Sequence, residues 1–371
     1  ITASHNPFGY SGFKFSMYNG AGAPIEFTRK IEVHTQKLIT RGWQANTSVI
    51  GTFKCREFNP KKTYLNHIRK LVDLKKIKQA KLRIAVEFMH GTGRGYLDTL
   101  LEESKAKITR FHEKLNPLFG GGSPEPNEVG MSEAALFIRK GKADLALGLD
   151  GDADRFGIVD KDGTWITPNQ ILTLTLYHLK RNRGKKGAVV RTVPTSHQVD
   201  AVAKLFNVKV YETPVGFKHI GELMEREPII VGGEESGGLS IGNHIPEKDG
   251  ILACLLMAEL VATEKKPLGQ ILKNLEKQIG CFYTDRINID LPNKKKDLIL
   301  QKLRIGFSKI GKFSVEKFIK TDGFKFILKN DEWVCFRASG TEPVIRCYLE
   351  AKNSLHLKQL KSACRKILSI K

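Results

Sequence analysis

A multidomain α/β protein is what this sequence predicts, and three observations carry the prediction. The chain has 371 residues, of which 41% are hydrophobic and 27% charged. That is too long for one ordinary core and close to the composition of folded proteins, so two to four domains are expected. A strand, turn, helix, strand order runs from Arg83 to Phe111, and the same order returns from Ala188 to Tyr211. Such alternation marks α/β layering.

In the first unit, Arg83 to Met89 is a short apolar strand, Gly91-Thr92-Gly93-Arg94-Gly95 its turn, Tyr96 to Ser104 a helix and Lys107 to Phe111 a second strand. In the second, the strand is Ala188 to Arg191, the loop Thr192 to Ser196, the helix Gln198 to Phe206 and the closing strand Lys209 to Tyr211. Seams are expected near Lys75 to Lys81, at Arg181 to Gly187 and around Gly280, which yields four domains: 1–79, 80–184, 185–280 and 281–371. In the last, Asp285 to Leu291, Lys325 to Leu328, Trp333 to Arg337 and Val344 to Glu350 alternate like strands, and Leu355 to Ile367 reads as an amphipathic helix, so a small α+β unit closes the chain.

Lys and Arg number 61 against 39 Asp and Glu, a formal charge of +22, which favours anionic ligands. Eleven basic residues fall between Lys54 and Arg83 against only Glu57 and Asp73, and Lys294 to Lys320 is again Lys-rich, on helix-like or connecting stretches. No RNP, zinc or helix-turn-helix signature accompanies these runs, so they read as solvated surface, and no nucleic-acid partner is expected; a non-catalytic nucleic-acid-binding protein is the distant alternative. The six cysteines (55, 254, 281, 335, 347, 364) form no CxxC pair and read as plain buried thiols in a reduced, cytoplasmic setting. The apolar stretch Ile251 to Ala262 is too short for a membrane span and contains Glu259. The chain opens at Ile1, without Met, inside a candidate active-site loop, and is expected to be the remainder of a longer protein.

Four loops carry candidate chemistry. Asp150-Gly151-Asp152-Ala153-Asp154-Arg155 follows an apolar strand, Ala143 to Leu149. Three alternate carboxylates repel one another unless a hard cation neutralises them, which points to magnesium or calcium. Its position after a strand is where open α/β sheets bind ligands. An EF-hand would need Gly and Glu where Arg155 and Lys161 stand, and is excluded. Thr2-Ala3-Ser4-His5-Asn6-Pro7 sets a hydroxyl beside an imidazole; alone it reads as loop chemistry, but an activated Ser can carry a covalent intermediate. Gly232-Gly233-Glu234-Glu235-Ser236-Gly237-Gly238 suits a polyhydroxyl ligand, or is a glycine-rich hairpin with exposed acids. Arg337-Ala338-Ser339-Gly340-Thr341-Glu342-Pro343, with Arg346 beyond it, could cradle a phosphate dianion, or is an ordinary turn. The Gly91 turn has GxGxG spacing and not GxGxxG, against a nicotinamide site.

In this order, TASHNP, DGDADR, GGEESGG and RASGTEP resemble the four active-site loops of the α-D-phosphohexomutases, the phosphoglucomutases and phosphomannomutases. The resemblance spans essentially the whole chain. It implies a four-domain enzyme, three similar α/β domains plus a C-terminal α+β domain, with one loop from each meeting in a central cleft. It implies that Ser4 is phosphorylated; that Asp150, Asp152, Asp154 and a phosphoserine oxygen hold Mg²⁺; and that Arg155 lies near the transferring phosphate. His5 and Lys14 resemble groups proposed for proton transfer. Glu234 and Ser236 match residues that hold sugar hydroxyls, Lys218 a lysine of the third domain's cleft loop, and Arg337, Ser339, Gly340 and Thr341 a clamp on the non-reacting phosphate, which Arg346 assists. The reaction it implies interconverts hexose 1- and 6-phosphates through a hexose 1,6-bisphosphate, with glucose 1,6-bisphosphate as activator, in a monomer or homodimer. Gly238 stands where phosphomannomutase-like members often have His, so glucose is expected to be preferred over mannose, with phosphoglucosamine mutase the nearest alternative. The family also has a segment ahead of TASHNP that carries a strand and an active-site arginine.

Overall fold

A computed structural model describes residues 1–44, 56–338 and 344–368, the side chain of Asn293 apart. The chain divides into two compact units, residues 1–165 with 243–263, and residues 166–242 with 264–371.

Unit 1 is organised by a five-stranded sheet of β1 (Arg83–Glu87), β2 (Lys107–Phe111), β3 (Leu145–Leu149), β4 (Phe156–Val159) and β5 (Trp165–Ile166), in the order β2-β1-β3-β4-β5. β1 runs parallel to both β2 and β3, and β4 returns antiparallel to β3. β3 reads Leu-Ala-Leu-Gly-Leu and is buried along its whole length, as expected of a central strand covered on both faces. Gly148 is needed there, since a Cβ would meet the Met131 sulfur. Leu97–Glu103 and Ser132–Arg139 are helices, the second packing Ala134, Ala135 and Ile138 against β1 and β3. The helix Ile25–Thr40 buries no residue. The Lys-rich stretch after Asp73 is helical, Leu74–Ala80, with the Asp73 carboxylate capping the Lys75 and Lys76 amides at 3.1 Å.

The apolar stretch predicted to be no membrane span is the core of the helix Gly250–Glu264, buried from Gly250 to Ala262. Glu259 within it accepts the Asp73 N–H at 2.9 Å, which satisfies a carboxylate inside an apolar helix. Among the described residues no helix is long and apolar enough to cross a membrane.

Unit 2 contains two sheets. The first has β6 (Ala188–Thr192), β7 (Val210–Thr213), β8 (Ile229–Gly233) and β9 (Leu239–Ile241) in the order β7-β6-β8-β9, parallel except for the β8–β9 hairpin. The second is a six-stranded antiparallel sheet of β10 (Tyr283–Asp290), β11 (Lys309–Ile310), β12 (Phe313–Ile319), β13 (Phe324–Leu328), β14 (Trp333–Ala338) and β15 (Val344–Ala351), in the order β10-β15-β14-β13-β12-β11. The closing helix Ser354–Leu368 packs Leu360, Cys364 and Leu368 into its core. The Lys-rich region is helical only over Asn293–Ile305; its second half forms β11 at the sheet edge and β12 beside it, where Lys309 and Lys317 are exposed.

A buried ion network ties the two sheets of unit 2 together. Arg191 on β6 holds Asp200 through two 2.6 Å contacts and Glu212 at 2.5 Å. Lys325 on β13, 1% exposed, donates to Glu212, to the Val193 carbonyl and to His197 Nε2 at 2.8–2.9 Å. Glu350 on β15 accepts from the Trp333 indole at 2.8 Å, from the His197 amide at 3.1 Å and from the Ser196 hydroxyl. Of the cysteines expected to be buried, 254, 335, 347 and 364 are, but Cys281 is exposed, because it follows Gly280 (φ 83°) in the turn after the helix Leu268–Ile279; Cys55 lies outside the described residues.

Candidate active site

Ser4 sits in a small closed loop of unit 1. The backbones of Thr2 and Gly12 exchange hydrogen bonds of 3.0 and 2.9 Å, and the Asn6 N–H closes a turn on the Ala3 carbonyl at 3.0 Å. Ser4 has φ 53°, a left-handed conformation that costs a side-chain-bearing residue about 1 kcal/mol or more. Its N–H donates to Thr2 Oγ1 at 2.7 Å, and the Thr2 hydroxyl donates to Asp152 at 3.0 Å, so the strained turn is anchored to the acidic loop. Ser4 Oγ then lies 3.5 Å from Asp150 Oδ2 and 3.4 Å from His5 Nδ1. Only glycine fits at Gly151, where a Cβ would come within 2.5 Å of the Ser4 carbonyl oxygen.

Asp150, Asp152 and Asp154 converge directly after β3, with ligand oxygens within 4.8 Å of one another. Burial, reinforced by the Asp154 and Asp152 charges, pushes the Asp150 carboxyl up to about 8. Burial acts upward on Asp154 as well, but Lys248 and Lys14 outweigh it and hold that carboxyl below its usual range. Among the described residues, Asp152 Oδ1 and Asp154 Oδ1 are buried without a hydrogen-bond partner. Lys14 Nζ lies 2.6 Å from the Oδ2 atoms of both aspartates, and Lys248 Nζ 3.2 Å from that of Asp154. Ammonium groups thus stand where positive charge is demanded, and orphaned carboxylate oxygens with no nitrogen or sulfur donor among them fit a hard divalent cation.

Arg155 donates its N–H to Asp150 Oδ1 at 3.0 Å, while its guanidinium Nε, 3.9 Å from Asp154 Oδ1, is buried without a hydrogen-bond partner among the described residues. Burial, and then the Arg155 charge, lower the His5 pKa against the opposing pull of Glu125, Asp154 and Asp152, so the imidazole beside Ser4 is neutral at neutral pH. Lys248 was missed by sequence reasoning. Its signal was the Lys-Asp-Gly step into the apolar helix: a Cβ on Gly250 would collide with the Arg155 carbonyl, so that step packs directly on the acidic loop.

The remaining predicted residues lie in unit 2. The acidic glycine loop is the β8–β9 hairpin turn, closed by the Glu234 N–H on the Gly238 carbonyl at 2.9 Å. Glu234 is not an exposed acid but buried, its Oε1 accepting the Gly216 N–H at 2.9 Å. Gly216 has φ 125° and opens the helix Phe217–Arg226, which carries Lys218 in its first turn. Ser236 is half-buried in the hairpin turn. Glu235, which the motif reading left without a role, is pushed up by burial against the charge of Arg337 and accepts from the Thr192 hydroxyl at 3.3 Å. Arg337 at the end of β14 pairs in register with Arg346 on β15. Arg337 Nη2 meets Asp322 Oδ2 at 2.9 Å, and its Nε is buried without a hydrogen-bond partner among the described residues. Ser339, Gly340 and Thr341 lie outside the described residues.

Comparison with known proteins decides the family. Models of phosphoglucomutase/phosphomannomutase domains match four successive segments: α/β/α domain I at residues 1–41, domain II at 62–163, domain III at 167–279 and the C-terminal domain at 287–367. The phosphoglucosamine/phosphogalactosamine mutase of Sulfurisphaera tokodaii is 30% identical over 371 residues, 99% of this chain and 79% of that protein. The chain belongs to the phosphohexomutase family. The phosphoglucomutase/phosphomannomutase of Thermococcus kodakarensis is also 30% identical, over 95% of this chain and 74% of its own length. A crystal structure of a Thermus thermophilus protein named for phosphomannomutase superposes with a TM-score of 0.82 at 28% identity, covering 99% of this chain and 77% of that one.

Members of the phosphohexomutase family are mutases, that is, intramolecular phosphotransferases, and the predicted four-domain architecture is the family's. The acidic triad of unit 1 is a cluster able to hold a metal ion, as the motif predicted.

Proposed function

We propose that this phosphohexomutase interconverts hexose 1-phosphates and hexose 6-phosphates, prefers glucose, and carries the phosphoryl group on Ser4. The observation that carries the reading is the Ser4 hydroxyl held 3.5 Å from Asp150 in a triad with two unpartnered buried carboxylate oxygens. Asp150, Asp152, Asp154 and Ser4 would hold Mg²⁺, which when bound neutralises charge on the phosphoryl group in flight, where most catalysis of such transfers resides.

Within unit 1, His5 is a neutral imidazole 3.4 Å from Ser4 Oγ and can take or return the hydroxyl proton. Lys14, Lys248 and the buried Nε edge of Arg155 supply positive charge around the reacting phosphate. Within unit 2, Glu234 and Ser236 bind sugar hydroxyls, Lys218 binds the substrate beside them, and Arg337 and Arg346, with Ser339, Gly340 and Thr341, bind the phosphate that is not reacting. Phosphoserine gives its phosphate to the sugar, a hexose 1,6-bisphosphate forms and reorients, and the other phosphate returns to Ser4. Glucose 1,6-bisphosphate would prime the enzyme. The domain limits 1–79, 80–184, 185–280 and 281–371 belong to this reading, as do a cytoplasmic setting and a monomer or homodimer.

The names of the relatives favour a second reading. One relative at 30% identity is a phosphoglucosamine/phosphogalactosamine mutase, so amino sugars are a competing substrate class. Gly238 and the Glu234-Glu235-Ser236 run support glucose. A panel of glucose, mannose and glucosamine 1-phosphates decides between them. Highest kcat/KM on glucose 1-phosphate is expected, and turnover of glucosamine 1-phosphate alone overturns the preference.

A further inference from the structure

We infer that Asp322 is a positioning residue that couples the Arg337 guanidinium to the turn before Lys218, so that one carboxylate sets both the phosphate-facing and the hydroxyl-facing groups of unit 2. The inference rests on the roles proposed above for Arg337 and Glu234. Asp322 lies in the turn between β12 and β13. The next residue, Gly323, has φ 82°, and a Cβ there would press to 2.6 Å from Arg337 Cγ and 3.3 Å from Arg337 Cα. Glycine therefore lets this turn lie flat against β14, bringing the Asp322 carboxylate to the arginine.

One oxygen of that carboxylate serves two partners. Asp322 Oδ2 accepts the Val215 N–H at 2.7 Å and meets Arg337 Nη2 at 2.9 Å. The residue after Val215 extends the connection, because the Gly216 N–H donates to Glu234 Oε1 at 2.9 Å. Arg337, Asp322, the Val215-Gly216 turn and Glu234 are thus joined by hydrogen bonds without a gap. A carboxylate whose only task was to neutralise Arg337 would turn both oxygens to the guanidinium in the usual bidentate fork. Here Asp322 Oδ2 is shared between Arg337 Nη2 and the Val215 N–H, and Arg337 Nε is left buried and, among the described residues, unpartnered, a donor held in place for an incoming anion. Removing Asp322 frees the guanidinium to reorient and loosens the turn that holds Glu234. Arg337 and Glu234 grip substrate and transition state alike, so misplacing them raises KM and spares kcat.

The test is steady-state kinetics of D322A and D322N on glucose 1-phosphate, with thermal unfolding of each variant. For D322A, KM is expected to rise about tenfold with kcat within about threefold of wild type. D322N keeps an oxygen for the Val215 N–H and loses the charge facing Arg337, so its KM should rise only about threefold. Unchanged KM in both variants overturns the inference, as does a fall in kcat that follows lost thermal stability with KM unmoved. Wild-type protein without turnover on any hexose phosphate overturns the functional reading instead, before a variant is made.

Discussion

Two regions of this molecule bury several ionisable groups, and they do so on opposite principles. Behind the sheets of unit 2, signs alternate: Asp200, Arg191, Glu212 and Lys325 follow one another at 2.5–2.9 Å. In the acidic loop of unit 1 the signs repeat, Asp150 is pushed up to about 8, and two carboxylate oxygens have no partner among the described residues. The first arrangement is complete within the protein and fixes two sheets against each other. The second has lysines on one side of its carboxylates and two buried oxygens that no described residue satisfies on the other, which is what a site that takes a cation requires.

That contrast can be broken in order of effect. Asp152→Ala should lower kcat/KM by about 1,000-fold at saturating Mg²⁺, since it removes charge stabilisation at the reacting phosphoryl group; a loss below tenfold in steady-state assays would mean the triad does not serve catalysis. Glu212→Gln leaves Arg191 and Lys325 facing each other without their shared acid, and should cost about 3 kcal/mol in urea unfolding with the acidic loop untouched.

The same network predicts a pH dependence. Burial pushes Glu212 up, but Lys325 and Arg191 outweigh it and hold its carboxyl below the ordinary value of 4.5. A depressed acid contributes stability above its unfolded pKa, and that stability is lost as pH falls through the folded value. Denaturation midpoints should therefore drop as pH falls below 4.5 in wild type, and less in Glu212→Gln. The smallest effect has the opposite sign: Asp150→Asn relieves repulsion in chelator-treated protein and should raise its stability by about 1 kcal/mol, while abolishing the stabilisation that Mg²⁺ confers on wild type. A clear loss of stability instead would show that the triad is satisfied without a cation.

Local pattern made much of this legible. The fully apolar β3 that runs up to Asp150 follows from a hydrophobic run bounded by turn residues, and Lys107–Phe111 as β2 from its alternation of apolar and polar residues. Ser4, Arg337 and the triad were visible because their loops are contiguous motifs. What was hidden depends on distant segments meeting in the fold. Lys325, flanked by Phe324 and Phe326, reads as the exposed member of an alternating strand, yet it is buried because β7 supplies Glu212 and the loop after β6 the Val193 carbonyl. β12 was lost among the lysines of Lys294 to Lys320, since a strand with one solvent-facing side tolerates charge that usually signals surface helix or linker. Lys248 has only the Lys-Asp-Gly step to mark it, Thr2 only its place in the serine motif and Asp322 nothing, and only folding brings them to Asp154, Asp152 and Arg337.

The central claim is that Ser4 carries the phosphoryl group, and intact-mass measurement tests it most directly. Wild-type protein and Ser4→Ala are incubated with glucose 1,6-bisphosphate and Mg²⁺. Wild type should gain the mass of one phosphate, mapped by peptide fragmentation to Ser4, and the variant should gain none. Equal phosphorylation of both proteins, or a phosphate on another residue, would contradict the account.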